Sequence, residues 1–203
     1  MSATPDTVVV DVGHVLVGVD ARALLALLEE HGARFESLDA LCSAVDLDAH
    51  EAGAVDGGAF LARLASRLGR PMDPRVLLRE WNAIYFAHAP MLELARRLRG
   101  AYRLFLLSNM GELHWTHLEA AFGIRSLAHD ALASWEARTL KPDPAIYALA
   151  EHRFGLEPAR TVFVDDRPDN CGAARARGWH AVRHRTAADT AAALAALGLA
   201  VAG

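Results

Sequence analysis

The sequence predicts an α/β protein: a doubly wound, parallel five-stranded sheet with a small all-helical domain inserted after its first strand. Three observations predict it. Short apolar runs alternate with helical patterns over most of the chain, as strands and crossover helices do in a parallel sheet. Two of those runs, Thr-Val-Val-Val-Asp at 7–11 and Thr-Val-Phe-Val-Asp at 161–165, are apolar on both faces, which marks strands buried from two sides. Between 19 and 89 the alternation stops, and only helical patterns with Gly and Pro breaks remain.

The elements follow in order. Thr7 to Asp11 is the first strand. The insertion carries helical segments at Arg22 to His31, Leu38 to Asp46, Gly58 to Leu68 and Pro74 to Phe86. Gly57-Gly58 and Gly69-Arg70-Pro71 punctuate them. Trp81, Tyr85 and Phe86 are helically spaced and are expected in a core. Hinges near Gly18 and Pro90 divide the chain into an α/β core, 1–18 and 90–203, and a helical cap, 19–89. The core resumes with a helix from Pro90 to Arg99, a strand from Tyr102 to Leu107 and a helix from Glu112 to Phe122. A strand from Ala131 to Ser134 and a helix from Pro144 to Phe154 come next. The strand from Thr161 to Asp165 precedes a helix from Pro168 to Arg177. A strand from Trp179 to Val182 and an Ala-rich helix from Ala187 to Leu197 end the series. Pro144 and Pro168 stand near first-turn positions, where a missing N–H costs nothing.

Composition narrows the class. A chain of 203 residues, 53% apolar, buries roughly 70% of its unfolded surface. The net charge of −4, with no basic block, argues against nucleic acid or an anionic membrane as the main partner. Arg96, Arg97 and Arg99 cluster on an amphipathic pattern and read as a solvated helix face. No apolar run reaches membrane-spanning length and no signal-peptide pattern opens the sequence, so a cytoplasmic location is expected. Cys42 and Cys171 lie far apart without a CxxC pattern, as inert thiols in a reducing compartment do. His114 and His117 lack a third ligand, so zinc is not expected.

One residue is unusual by type. Lys141 is the single lysine beside twenty arginines, in a chain without glutamine. That composition fits a GC-rich coding bias, and a lysine kept against it suggests a task for a compact point charge rather than a planar fork.

In an open parallel sheet, ligands bind beyond the carboxyl ends of the strands. Asp11-Val12-Gly13-His14 follows the first strand and Ser108-Asn109 the second. Lys141 lies in the loop after the third, and Asp165-Asp166 with Asn170 ends the fourth. Three carboxylates, a lysine, a hydroxyl and two amides therefore converge on one edge. These types fit phosphoryl transfer. A carboxylate can attack phosphorus, Mg²⁺ binds through carboxylates and carbonyls, and a lysine with fixed donors offsets the spread charge.

The chain resembles the haloacid dehalogenase-like hydrolase superfamily through four segments in order. They are Asp11-Val12-Gly13-His14-Val15-Leu16-Val17, Leu106-Leu107-Ser108-Asn109, Lys141-Pro142-Asp143-Pro144-Ala145-Ile146-Tyr147 and Val162 to Asn170. The resemblance implies a Rossmann-like core and a small helical cap. It also implies Asp11 as nucleophile and Mg²⁺ held by Asp11, the Gly13 carbonyl and Asp166. Ser108, Asn109 and Lys141 would bind the phosphoryl group. Asp165 would orient Lys141 or a metal-bound water, and Asn170 would support the metal shell. The partner implied is a small phosphorylated metabolite, with the chain a monomer or homodimer.

Two positions depart from the usual pattern. Phosphatases of this superfamily carry Asp-x-Asp, whose second Asp protonates the leaving group; here that position is Gly13. Gly there resembles a subgroup that includes sugar-1-phosphate phosphatases acting on α-D-glucose 1-phosphate, whose anomeric oxygen leaves more readily. His14 is the second departure: a substitute acid–base group, or a histidine donating to backbone in a tight turn. Glu51, in His50-Glu51-Ala52-Gly53, lies where such caps face substrate and could touch a sugar hydroxyl or sit on a solvated helix end. Arg138 stands where relatives often carry Gly. Two other readings remain open. One is a 2-haloacid dehalogenase, which also lacks the second Asp but needs no metal and lacks the acidic pair. The other is a weakened or inactive binding protein on the same scaffold.

Overall fold

The computed structural model describes residues 4–200. The chain opens with β1 (Thr7–Val10) and β2 (Val17–Val19). Five helices follow: α1 (Arg22–Glu30), α2 (Leu38–Ala44), α3 (Leu47–Glu51), α4 (Gly57–Ala65) and α5 (Pro74–Asn82). After β3 (Tyr85–Ala87) come α6 (Ala89–Ala101), β4 (Arg103–Ser108), α7 (Glu112–Phe122), β5 (Asp130–Ala133), α8 (Ser134–Ala137) and α9 (Pro144–Phe154). The chain closes with β6 (Thr161–Asp165), α10 (Pro168–Ala176), β7 (His180–Arg183) and α11 (Ala187–Ala196).

Five strands form one parallel sheet in the order β5-β4-β1-β6-β7. From β1 the chain winds outward through β4 to β5, then crosses back and winds the other way through β6 to β7. The reversal places a crevice at the carboxyl end of β1, where open α/β sheets take their ligands. Alternation along the strands explains why both faces are buried. Val8, Val10, Leu104, Leu106, Val162 and Val164 pack on one side of the sheet. Val9, Phe105, Leu107 and Phe163 pack on the other, with Tyr147 and Trp179. Each such side chain contributes about 1.5–3 kcal/mol by leaving water. On α6, Leu94 and Leu98 are buried while Arg96, Arg97 and Arg99 face outward. No helix among the described residues is long and apolar enough to cross a membrane.

The predicted strands and core helices agree with the structure to within one or two residues at their ends. The insertion differs more. A helix was expected from Pro74 to Phe86, but α5 stops at Asn82, and Tyr85–Ala87 pairs antiparallel with Val17–Val19. The insertion is therefore not all-helical: a two-stranded ribbon closes its base. The reason is non-local. Phe86 lies across Gly18, where any Cβ would collide with its ring, so Gly18 also seats an aromatic side chain. Of the three aromatics expected in a core, Trp81 is fully buried whereas Phe86 is 53% exposed. The one-turn helix α3 was also not expected; Asp46, in the left-handed region at φ 55°, breaks the predicted Leu38–Asp46 helix before it.

Helices α1 to α5 enclose a hydrophobic core of their own, built on Leu24, Leu28, Leu41, Phe60, Leu64, Leu77 and Trp81. Polar contacts tie this layer to the sheet. Ser134 Oγ donates to the Glu51 carbonyl at 2.6 Å, and the Arg138 guanidinium donates to the Gly53 carbonyl. Arg138 adopts φ 58°, a conformation that favours glycine, and from there its side chain reaches the insertion. The buried His114 Nε2 donates to the Trp81 carbonyl at 3.1 Å.

Candidate active site

The register of the sheet builds the site. Val10 pairs with Leu106 and with Val164, and the Asp11 amide continues that ladder by donating to the Val164 carbonyl at 2.9 Å. Asp11 thus lies level with Asp165, at the lip of the crevice. Its Oδ1 accepts from the Val12 amide at 2.7 Å.

Lys141 lies between the two carboxylates and is 2% exposed. Its ammonium is 3.0 Å from Asp11 Oδ1 and 2.7 Å from Asp165 Oδ2, and it donates to the Leu107 carbonyl at 2.9 Å. An ammonium has three N–H groups, and all three are engaged within the chain. Asn109 holds this residue in place. Its Oδ1 accepts from the Lys141 amide at 2.7 Å, and its Nδ2 donates to the Lys141 carbonyl at 2.8 Å. The Asn109 amide was expected on a phosphoryl group; one of its two N–H groups holds the backbone of the lysine loop, and the residue also lines the cavity. Two residues on, Asp143 caps α9 by accepting from the Ala145 amide at 2.8 Å, a bond worth about 1 kcal/mol.

Asp165 is fully buried and saturated. Its Oδ1 accepts from the Arg167 amide at 2.9 Å and, with Oδ2, from Asn170 Nδ2 at 3.0 Å. Asp166 contrasts with it. No donor among the described residues reaches its carboxylate, while Arg183 Nε fixes its carbonyl at 3.0 Å. Carboxylate oxygens of Asp11, Asp165 and Asp166 lie within 4.8 Å of one another. Ser108 Oγ and Asn170 Oδ1 are buried without a hydrogen-bond partner among the described residues.

Above this edge lies a cavity of ≈ 600 Å³ between the sheet and the insertion. The sequence-predicted residues Asp11, Gly13, His14, Glu51, Asn109, Lys141, Asp166 and Asn170 line it. Ser108 and Asp165 lie just beneath, at the ends of β4 and β6. Asp39, Asp48 and Arg167 line it too and were not singled out from the sequence; Tyr85, expected in a core, and Cys42, expected as an inert thiol, also line it. No single periodicity marks them: Asp39 and Cys42 lie on α2, Asp48 on α3, Tyr85 on β3 and Arg167 just before α10.

Residues 75–178, just over half of the chain, match the family model of the haloacid dehalogenase-like hydrolases. The chain belongs to that family. The matched span holds Ser108, Lys141, Asp165 and Asp166, whereas Asp11 of this hydrolase enters from outside it, through the central place of β1. Solved structures share the fold. An HAD family enzyme from Bacteroides thetaiotaomicron, in complex with magnesium and inorganic phosphate, superposes with a TM-score of 0.79 at 22% identity, covering 89% of this chain and 94% of that one. A HAD-like family hydrolase from Porphyromonas gingivalis gives 0.71 at 22% identity, covering 89% and 91%. L-2-haloacid dehalogenase from Xanthobacter autotrophicus gives 0.62 at 19% identity, covering 88% and 77%. None of the curated proteins compared with the sequence matches it.

The electrostatics of this hydrolase's site follow from burial. Burial pushes the Asp11 carboxyl up, to about 7, against the pull of the Lys141 ammonium. Burial also works against the Lys141 charge, but Asp11 and Asp165 outweigh it and hold its pKa above the ordinary lysine value. Among the other cavity residues, His14 has φ 56° and an exposed side chain. Among the described residues no hydrogen bond joins its ring to backbone, so the tight-turn donor reading is not what the geometry shows.

Glu51 faces the cavity rather than a solvated helix end. Burial first, then Asp48 and Asp11, push its carboxyl up to about 7. A carboxyl whose folded pKa exceeds the unfolded value stabilises fully below the unfolded value, and that contribution is lost as pH rises through the folded one. Glu51→Gln should therefore gain stability relative to wild type between pH 5 and pH 8, by at most about 3 kcal/mol. Thermal melts of both proteins across that range test this; a difference that does not change with pH would place the carboxyl in water.

Proposed function

We propose that this hydrolase is a Mg²⁺-dependent phosphomonoesterase that works through an aspartyl-phosphate on Asp11. The observation that carries the reading is the pairing of Asp11 with a buried, fully engaged ammonium, beside a carboxylate, Asp166, that no donor satisfies. The donor set fits Mg²⁺. Its oxygens are hard and close together, and a neighbouring Asn170 Oδ1 is buried without a partner. Asp11, the Gly13 carbonyl and Asp166 would hold the ion, with Asn170 behind them. Mg²⁺ bound there supplies a Lewis acid that offsets phosphoryl charge.

The residues of the chain then divide the work. A carboxylate oxygen of Asp11 attacks phosphorus, and the bond to the leaving oxygen breaks. Lys141 pulls Asp11 toward its ionised form against the effect of burial and holds it in place, and Asp165 holds Lys141. The unpartnered Ser108 hydroxyl donates to a phosphoryl oxygen. Asn109 serves indirectly, by fixing the loop that carries Lys141. Water then releases phosphate and restores Asp11.

The Bacteroides enzyme's magnesium and phosphate complex supports this reading. The fold is shared with L-2-haloacid dehalogenase too, but the adjacent Asp165 and Asp166 favour the ester. With no side chain at Gly13, any proton donor must come from farther out in the cavity, so esters that need the least protonation suit the site best, and a sugar 1-phosphate in the cytoplasm is the class proposed. A phosphate-release screen with Mg²⁺ should show sugar 1-phosphates and aryl phosphates turning over at least about 10-fold faster than sugar 6-phosphates. Activity should vanish in EDTA and return with Mg²⁺. Equal rates on 1- and 6-phosphates would overturn the substrate class. Turnover of a 2-haloacid in EDTA would replace the phosphatase reading.

A further inference from the structure

The cavity has a nucleophile at its floor and no side chain at position 13 to protonate what leaves. The gap is not steric: a Cβ built on Gly13 would meet nothing within 4 Å. Another group that lines the same cavity could do this work, provided that it is held still and is free to give a proton. The side chains of His14, Asp39 and Asp48 are exposed to solvent. The Tyr85 hydroxyl lies 3.4 Å from His114 Nδ1, and burial pushes its pKa above the ordinary tyrosine range. The Cys42 thiol is pushed up to about 12.

Glu51 fits these conditions best, because its side chain is half-buried and the helix end that carries it is held. It ends α3, and three contacts fix that end against the sheet. Ser134 Oγ donates to its carbonyl at 2.6 Å, Arg138 donates to the Gly53 carbonyl, and the His50 ring sits against Gly111, where a Cβ would collide with it. No donor among the described residues reaches the Glu51 carboxylate. The groups that act on it come from every wall: Asp48 on its own helix, Asp11 beyond β1, Lys141 before α9 and Arg167 before α10. Cys42 on α2 and Tyr85 on β3 also feel its charge.

We propose that Glu51 is the general acid for the leaving group and stands in for the side chain that Gly13 lacks. The inference rests on the phosphomonoesterase reading of the same site. As Asp11 bonds to phosphorus, the bond from phosphorus to the leaving oxygen breaks and its electron pair stays on that oxygen. The Glu51 carboxyl gives it a proton, and the alcohol departs. The Glu51 carboxylate then takes a proton from the water that attacks phosphorus. The bond to Asp11 breaks, and inorganic phosphate, the Asp11 carboxylate and protonated Glu51 result. A carboxyl that burial raises to about 7 is matched to giving and taking a proton near neutral pH.

The test is single-turnover kinetics of wild type and Glu51→Gln with Mg²⁺, on an alkyl phosphate and on p-nitrophenyl phosphate. Protonation assists the alkoxide far more than the nitrophenolate. Glu51→Gln should slow alkyl ester cleavage about 10²-fold or more and nitrophenolate release at least about 10-fold less than that. The alkaline limb of the alkyl pH profile should disappear. Adding Gly13→Asp to Glu51→Gln should restore much of the alkyl rate. Equal losses on both esters, an effect on KM alone, or an unchanged pH profile would overturn the role of Glu51. Wild type that releases phosphate from neither ester would overturn the phosphomonoesterase reading instead. Circular dichroism and melting of each variant show whether it is folded when assayed.

Discussion

Lys141→Arg is expected to lower phosphate release about 10²–10³-fold, the scale seen when one preorganised charge-stabilising donor is lost. The chain should still fold. The substitution keeps the charge, so ordinary reasoning would rate it as mild. The geometry says otherwise. The ammonium serves three acceptors around a single point, Asp11 Oδ1 at 3.0 Å, Asp165 Oδ2 at 2.7 Å and the Leu107 carbonyl at 2.9 Å. A planar guanidinium is larger and presents its donors as a fork. The lysine backbone has no freedom to retreat, because Asn109 bonds both its amide and its carbonyl. An arginine here would push its head group toward the space of the substrate and move Asp11 from its line of attack. Steady-state kinetics with circular dichroism decide the matter. Near-normal kcat in a folded variant would remove Lys141 from the chemistry.

Asp11→Asn is expected to reduce turnover by roughly 10⁴-fold or more, as loss of a covalent nucleophile does, and to abolish phosphorylation of the protein by substrate. Its effect on stability runs the other way. Burial raises the Asp11 carboxyl to about 7. The folded chain therefore favours the protonated form, and that stabilisation disappears as pH rises through the folded value. Asparagine stays neutral, keeps an acceptor for the Val12 amide, and leaves Lys141 paired with Asp165. In EDTA at pH 8 the inactive variant should melt no lower than wild type. A substantially lower melting temperature would show that Asp11 serves chiefly to hold the fold. A stabilised, inactive variant would mark a site where function and stability oppose each other.

Much of this was legible in the sequence, and particular residues show why. Thr7–Val10 and Thr161–Asp165 read as strands because a parallel sheet buries both their faces, leaving an unbroken apolar run that ends where the sheet ends. Whatever polar residue follows such a run stands on the ligand edge, so Asp11, Asp165 and Asp166 could be placed without coordinates. The ribbon of Val17–Val19 with Tyr85–Ala87 could not. Its pairing joins segments far apart in the chain, and the aromatic spacing around Trp81 imitates a helix. Asn109 shows a different limit. An amide beside Ser108 suits a phosphoryl group by type, yet only the fold shows that its oxygen and one N–H group hold the backbone of Lys141.

Local pattern and residue chemistry were enough to determine the class of sheet, the order of its polar strand ends and the family resemblance. These depend on periodicity and on which groups can carry charge, and both are written along the chain. Tertiary structure decided the rest. It placed Lys141 between Asp11 and Asp165 and left Asp166 without a donor. It also turned Glu51 into the cavity instead of toward solvent. Those outcomes depend on distances between elements remote in sequence and on the low dielectric that their packing creates. Both come into being only when the sheet and the helical insertion close over one another.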